Sequence, residues 1–230
     1  MKEECKHVKH VHSFKLPDHF SPKEESSFIF GDLHSKSKPK QCICPNGNYL
    51  VVYLHNQLVV YPIGTNYTQP ISLKIEEKIV DMCFRPAEKI NGKWKTKLLY
   101  VLTERSLLVH EILSSQVIQS HSQDFLPSRI TPHCVSANLS DRRLVYVLDC
   151  VTNTIHAFKC LITRNEEKAE LSPLGRMTIS NVRLSVPSEK QQVKMRVNEE
   201  SLFVQILEKN NTLLVPLFSQ SCLSSVLSLY

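Results

Sequence analysis

The stretch from Arg143 to Phe158, RLVYVLDCVTNTIHAF, predicts two β-strands joined by a short polar turn. Its first half, Leu144 to Leu148, is a run of apolar, β-branched and aromatic residues, and a second apolar run begins at Ile155. The residues between them that favour a turn are Asp149, Thr152, Asn153 and Thr154. Their short polar side chains hydrogen-bond the nearby backbone and tolerate unusual backbone angles, so the stretch is typical of a β-hairpin.

The same plan recurs in three other places, which divides the chain into four units. Each unit consists of a strand, a polar turn, a longer apolar strand, a second polar turn and another apolar strand, followed by one more apolar segment. Aligning the long strands on Val51, Tyr100, Tyr146 and Val204 gives steps of 49, 46 and 58 residues. The longer last step implies an insertion, which the stretch 164–190 could hold.

Four strands in each repeat of this length is the spacing of a β-propeller blade. A four-stranded sheet buries a face only when another sheet packs against it, so such units come in series around an axis. The apolar runs are short and show no sustained helical periodicity. We therefore predict an all-β, propeller-like fold with about four four-stranded antiparallel units. A β-sandwich or β-barrel with a coincidental near-repeat is the alternative.

Three short turns precede long hydrophobic strands, namely Cys44–Gly47, Phe84–Pro86 and Asn138–Asp141. They resemble the strand–Ser-Pro-Asp-Gly–strand turn of WD40-like propeller blades, over roughly residues 40–217. The chain departs from that pattern because no unit has the Trp-Asp or Gly-His pair, and Trp94 falls in a predicted loop. The resemblance implies a degenerate propeller, either a small ring or part of a larger, incomplete ring whose chain would continue past Tyr230.

The first 40 residues differ from the remainder in composition. They are predicted to be a polar N-terminal arm with one or two short strands, at 8–16 and 28–30, and residues 41–230 to be the propeller-like domain. The chain opens without an apolar leader, and no run approaches the roughly 20 apolar residues of a membrane span. We therefore expect reduced cysteines and an intracellular location, in the cytoplasm, the nucleus or both.

The formal net charge is +6 in 230 residues, which is mild. Basic residues are scattered rather than gathered in one stripe, so nucleic-acid binding is not expected, although the charge does not exclude it. The densest basic stretch, Lys36, Lys38 and Lys40, is predicted to be a solvated loop.

Candidate metal ligands are few and poorly spaced. Cys5, His7, His10 and His12 form the best local cluster, but their spacing matches no standard zinc finger, and a polar terminal segment is the simpler interpretation. Cys42 and Cys44 would share one strand face and are expected to pack as small apolar residues. The same core role is expected for Cys83, Cys134, Cys150 and Cys160. No metal or cofactor site is predicted.

No catalytic site is predicted either, because the chain lacks the nucleophile elbow, the Walker loop and the dinucleotide fingerprint. His133, Cys134 and Asp141 do not make a triad, since neighbours on a strand point to opposite faces. The recurring aspartates Asp81, Asp141 and Asp149 are expected to cap turns, with a metal ring at the propeller axis as the alternative. Two Ser-Pro dipeptides are potential phosphorylation sites in loops, at Ser21-Pro22 and Ser172-Pro173.

We therefore expect a non-catalytic protein–protein interaction module or a subunit of a larger assembly. Its specificity would come from loops such as 85–97 and 163–192. The alternatives are a propeller-type metal-dependent hydrolase and a nucleic-acid-binding accessory protein.

Overall fold

A computed structural model describes residues 40–45, 48–63, 69–90, 93–95, 98–112, 117–125, 129–138, 141–162, 169–178, 192–197, 201–207 and 212–219. These residues form strands and turns, and among them no helix is long and apolar enough to cross a membrane. Apart from Lys40, the predicted N-terminal arm lies outside the described residues. With it lie the cluster Cys5, His7, His10 and His12, the Ser21-Pro22 dipeptide, Lys36 and Lys38. The boundary between arm and domain stays a prediction.

Among the described strands, four antiparallel sheets follow the chain in order, the first three with four strands and the last with three, and two further short strands pair with each other in a separate hairpin. Sheet 1 contains β1 (Lys40–Ile43), β2 (Tyr49–Leu54), β3 (Gln57–Pro62) and β4 (Ile71–Lys74). Sheet 2 contains β5 (Ile79–Phe84), β8 (Leu98–Thr103), β9 (Ser106–Ile112) and β10 (Val117–Asp124). Sheet 3 contains β11 (Pro132–Ala137), β12 (Leu144–Asp149), β13 (Thr154–Ile162) and β14 (Ala169–Thr178). Sheet 4 contains β15 (Gln192–Val197), β16 (Ser201–Leu207) and β17 (Thr212–Ser219).

The hairpin turns form where short polar residues were predicted to place them. Between β2 and β3 the turn is made by His55 and Asn56, and His55 has a positive φ of 53°. Between β12 and β13 the Asp149 carboxylate accepts hydrogen bonds from the backbone N–H groups of Val151 and Thr152, and Asn153 has a φ of 58°. Asparagine tolerates this left-handed conformation better than most residues, which suits it to the last turn position.

The first strand of each sheet contacts the first strand of the next. β1 contacts β5, β5 contacts β11, and β11 contacts β15, while the outer strands β10 and β14 also touch. Sheets 1 and 2 enclose one apolar core and sheets 2 and 3 enclose another. This sequential stacking of four-stranded sheets confirms the predicted all-β, propeller-like fold. The predicted fourth strand of the last unit, Val226 to Leu229, lies outside the described residues.

Sheet 2 is buried on both faces, which explains the composition of β8, one of its two central strands. In β8 every residue is buried. Leu99 and Val101 belong to the core shared with sheet 1, whereas Tyr100 and Leu102 belong to the core shared with sheet 3. A strand with two covered faces has no need for polar alternation, so its sequence is a continuous apolar run.

The prediction that residues 85–97 and 163–192 are loops was wrong in part. The first contains a hairpin of β6 (Glu88–Ile90) and β7 (Lys93–Lys95), with Trp94 opposite Lys89. The second contains β14, which pairs along the whole length of β13. Consequently Ser172-Pro173 lies in a strand and not in a loop.

Proline is tolerated in β14 for two physical reasons. β14 is the outermost strand of sheet 3, where a missing N–H costs least, and the pairing register shifts at Phe158, the residue opposite Pro173. The start of β14 shows strand periodicity, because Ala169 and Leu171 are buried and Glu170 and Ser172 are exposed.

Candidate functional site

The cysteines in and beside the strands pack as predicted. Cys134, Cys150 and Cys160 are buried, and burial raises the pKa of the Cys134 thiol, so it stays protonated. Cys44 is buried just after β1, where its sulfur accepts a hydrogen bond from the Tyr49 backbone N–H at 2.9 Å. Half-buried Cys42 packs against the same core. The described part of the chain contains no group of three His, Cys, Asp or Glu side chains placed to bind a metal ion.

Two of the three recurring aspartates cap turns, and the prediction for the third was wrong. Asp141 accepts from the Arg143 backbone N–H and pairs with the Arg143 guanidinium at 2.9 Å, which lowers the pKa of the carboxyl. Asp149 caps the β12–β13 turn. Asp81 instead lies within β5, and its carboxylate accepts a hydrogen bond from the Val135 N–H of β11 at 3.0 Å. Asp81 therefore joins sheet 2 to sheet 3.

The structure separates the residues of the triad that the sequence analysis set aside. The Nδ1 atom of His133 accepts a hydrogen bond from the Cys150 N–H at 3.3 Å, near the start of β11. Asp141 lies beyond the other end of β11, paired with Arg143. These residues therefore do not assemble a nucleophile and base.

A cleft of about 500 Å³ lies at the outer end of the interface between sheets 1 and 2. One wall is the segment Leu73–Glu77, which includes the end of β4, and the other is formed by β9 and β10. β4 has four residues and β10 has eight, so the outer edge of sheet 1 is the shorter one. We refer to this space as the outer cleft.

The segment that forms the first wall is held by backbone hydrogen bonds to turns of both sheets. The N–H groups of Ile75 and Ile79 donate to the carbonyls of Asn56 and His55 at 2.8 and 2.7 Å. The Glu104 N–H of the β8–β9 turn donates to the Lys78 carbonyl at 3.1 Å. These bonds fix the backbone that carries Glu76 and Glu77.

The Glu77 side chain is held by two hydroxyl groups. Its Oε2 atom accepts hydrogen bonds from Thr103 Oγ1 and, at 3.1 Å, from Ser106 Oγ. Both hydroxyl residues are buried at the ends of β8 and β9. A carboxylate that accepts such bonds stays in place at the wall of the cleft.

His110 lies at the inner side of the outer cleft and is 3% exposed. In β9 it lies on the same strand face as Leu108 and Ile112, both of which belong to the core between sheets 1 and 2. Neither ring nitrogen has a hydrogen-bond partner among the described residues. Burial lowers the pKa of His110 to about 4, so at neutral pH the imidazole is uncharged and offers one donor and one acceptor.

The described residues lining the cleft carry more negative than positive charge. Glu76, Glu77 and Asp124 supply three carboxylates, and Lys74 supplies one ammonium group. The chain as a whole is basic, with a formal charge of +6. The cleft is therefore an acidic region on a basic protein, and its field attracts cationic groups.

None of these cleft residues was predicted as a site from the sequence. The signal for His110 was present, because it is the one buried polar residue within the run Leu107–Ile112. The hydroxyl pair was also visible as the first and last residues of the turn Thr103–Ser106. Neither signal indicated that the two would meet Glu77 and Asp124.

No protein-family model matches the chain, and no curated protein matches it in sequence. Solved structures resemble it in fold. The Chaetomium thermophilum Nup170 NTD–Nup53 complex contains a chain that is 11% identical, with a TM-score of 0.51, covering 91% of this chain and 31% of that one. Hsv2 of Kluyveromyces lactis is 13% identical, with a TM-score of 0.45 and coverages of 64% and 49%.

The periplasmic gluconolactonase PpgL of Pseudomonas aeruginosa is also similar, at 15% identity with a TM-score of 0.41 and coverages of 66% and 42%. The present chain thus spans half or less of the length of each of these three proteins. Identities this low describe the fold alone.

Proposed function

We propose that this chain is a non-catalytic protein-interaction module, built on a propeller-like scaffold of degenerate WD40-like blades and acting as a subunit of a larger assembly. The observation that carries the proposal is the outer cleft with His110 inside it. A buried polar group without a hydrogen-bond partner destabilises a fold by about 1–3 kcal/mol. His110 has no such partner among the described residues, so it favours a ligand that supplies the missing hydrogen bonds.

The electrostatics of the cleft suit binding better than proton transfer. A general base works best when its pKa lies near the working pH, and burial lowers the pKa of His110 to about 4. The Glu77 carboxylate is already engaged by Thr103 and Ser106. Fixed, hydrogen-bonded polar groups beside apolar side chains such as Leu73 and Leu108 are the features that orient a bound partner.

Two further observations support this proposal. The Nup170 domain, which is similar in fold, is found in a complex with Nup53, so a scaffold of this kind can serve as a docking domain. None of the six described cysteines forms a disulfide bond, as is usual in a reducing compartment, and we propose that the protein works in the cytoplasm or the nucleus.

The test is affinity capture with the purified full-length chain as bait, followed by size-exclusion chromatography of the complexes. The variant Asp124→Lys reverses a charge in the outer cleft, and Glu170→Lys makes the same change on the exposed face of β14. We expect a stoichiometric protein partner that the wild type and Glu170→Lys retain and Asp124→Lys loses.

Two results would contradict the proposal. One is the absence of any stoichiometric protein partner. The other is turnover of small esters or lactones by the purified chain that depends on a stoichiometric bound metal, which would favour the hydrolase alternative. A partner that proves to be nucleic acid, with an affinity that falls steeply as the salt concentration rises, would favour the nucleic-acid-binding alternative.

A further inference from the structure

We propose that the outer cleft recognises a lysine or arginine side chain presented by the partner protein. This inference rests on the proposed function and specifies its contact chemistry. It follows from three properties of the cleft, which are its charge, the four apolar side chains in its walls and the imidazole of His110, which has no hydrogen-bond partner among the described residues.

The charge of the cleft selects a cation. Glu76, Glu77 and Asp124 outnumber Lys74, the one cation of the described lining, and His110 adds no positive charge at neutral pH. No group of three ligating side chains is found in the described part of the chain, so the arrangement suits an organic cation better than a metal ion. Guanidinium and ammonium groups are the organic cations that proteins carry.

Four apolar side chains in the walls of the cleft match the stem of such a side chain. Leu73 and Ile75 lie on the side of sheet 1, and Leu108 and Val117 on the side of sheet 2. Lysine and arginine carry a charged head on three or four methylene groups, and they bury this stem against apolar surface while the head meets polar groups. A compact inorganic cation would leave these walls without a contact.

The imidazole supplies an acceptor that no described residue uses. Neutral histidine has one ring nitrogen with a free lone pair, and both nitrogens of His110 lack partners among the described residues. A guanidinium or ammonium group carries several N–H donors, so it can donate to this nitrogen and to a carboxylate together. The volume of about 500 Å³ exceeds that of one side chain and leaves room for the flanking backbone of a peptide.

The experiment titrates the full chain, labelled with ¹³C and ¹⁵N in histidine, with peptides of the form acetyl-Ala-Ala-X-Ala-Ala-amide. The central residue X is arginine, lysine, citrulline or norleucine. Citrulline keeps the shape of arginine without its charge, and norleucine keeps a linear apolar stem without a charged head. The His110→Leu variant assigns the His110 ring signals.

We expect the arginine and lysine peptides to shift the His110 ring signals, and the citrulline and norleucine peptides to bind roughly tenfold more weakly or not at all. The double variant Glu76→Gln/Asp124→Asn should weaken the arginine peptide about tenfold. Glu170→Gln, which changes one charge on exposed β14, is the control and should leave the affinity unchanged. Both cleft residues are exposed, so the double variant should still fold, and its thermal midpoint checks this.

Equal binding of the arginine and citrulline peptides would overturn the inference, as would an unchanged affinity of the double variant. Binding of free spermidine without any binding of the peptides would also overturn it, because the cation would then not come from a protein. If affinity capture yields a stoichiometric protein partner but none of the peptides binds, the proposed interaction function stands. Only the inference that the outer cleft binds a lysine or arginine side chain is then overturned.

Discussion

The two apolar interfaces of this protein are built from similar strands but end differently at the outside. Between sheets 2 and 3, Phe125 follows β10 and packs against Phe158 of β13, with ring centroids 6.0 Å apart. Between sheets 1 and 2, the corresponding outer end is the cleft that exposes Glu76 and contains His110. One interface is therefore closed by aromatic rings, and the other is left open and charged.

The difference follows from the residues that follow each outer strand. After β10 comes Phe125, which is 2% exposed and belongs to the core shared with sheet 3. After β4 comes Ile75, which is also buried, but then two glutamates, one exposed and one half-buried. Glutamate is rarely buried without a partner, so this second connection cannot close the interface by apolar packing.

The largest expected loss of stability follows from a substitution in the closed interface, between sheets 2 and 3. Phe125→Ala should lower the free energy of unfolding by about 3–5 kcal/mol, because it removes a buried ring and leaves a cavity between sheets 2 and 3. The matched change in the open interface, Leu73→Ala, should cost less, about 1 kcal/mol, since Leu73 is only half-buried. Urea unfolding followed by tryptophan fluorescence measures both, and equal losses would contradict the contrast between the interfaces.

The second prediction concerns the open interface, between sheets 1 and 2, where His110 should make the free energy of unfolding depend on pH. The pKa of His110 is lowered by burial from 6.5 to about 4, so the unfolded chain binds a proton in this range that the folded chain does not. The part of the free energy of unfolding that depends on His110 is therefore largest above pH 6.5, and it is lost as the pH falls toward 4. Between pH 7 and pH 4 the loss should reach about 3 kcal/mol.

The variant His110→Leu separates this histidine from other titrating groups. It should lack that part of the pH dependence, while the lining carboxylates Glu76, Glu77 and Asp124 and the ammonium of Lys74 titrate in both proteins. At pH 7 we expect it to be as stable as the wild type or more stable, because it removes from the core a polar group that has no hydrogen-bond partner among the described residues. Parallel stability curves for the two proteins between pH 4 and 7 would refute the assignment.

A third, smaller loss of stability is expected when the hydrogen bond between Asp81 and the Val135 N–H, within the closed interface, is removed. Asp81→Ala removes the acceptor of the Val135 N–H and should cost about 2 kcal/mol, since a bond to a charged group is lost and a backbone donor is left unpaired. Asp81→Asn keeps an acceptor oxygen and should cost less. Asp141→Ala, which breaks a partly exposed pair with Arg143, provides a comparison at a turn. Hydrogen exchange of the Val135 amide is the direct measurement, and an unchanged protection factor would count against the link.

Local chemistry was enough to predict most of the fold. The turn residues Asp149 and Asn153 and the apolar runs on either side specify a hairpin without help from the remainder of the chain. The same logic failed where local and tertiary preferences conflict. Pro173 and Gly175 indicate a loop, but the partner strand β13 and the register shift at Phe158 place both of them in β14.

The outer cleft could not be predicted in this way, because its residues come together only when sheets stack. Glu77 and Asp124 are 47 positions apart in the sequence, and His110 lies between them on a third element. Each has an ordinary local explanation as a turn or strand residue. The link made by Asp81 was missed for the same reason, since its partner Val135 belongs to the next sheet.

The smallest expected effect is at the rim of the open interface. Lys78 and Glu104 form an ion pair of 2.9 Å between the β4–β5 connection and the β8–β9 turn, with exposed fractions of 61% and 53%. Water and salt screen such a pair, so Glu104→Gln should cost less than about 1 kcal/mol, and less still in high salt. The backbone bond from the Glu104 N–H to the Lys78 carbonyl remains in this variant and keeps the turn in place. A loss as large as that of Asp81→Ala would mean that this rim holds the two sheets together, and the outer cleft would then be a strained closure and not an open end.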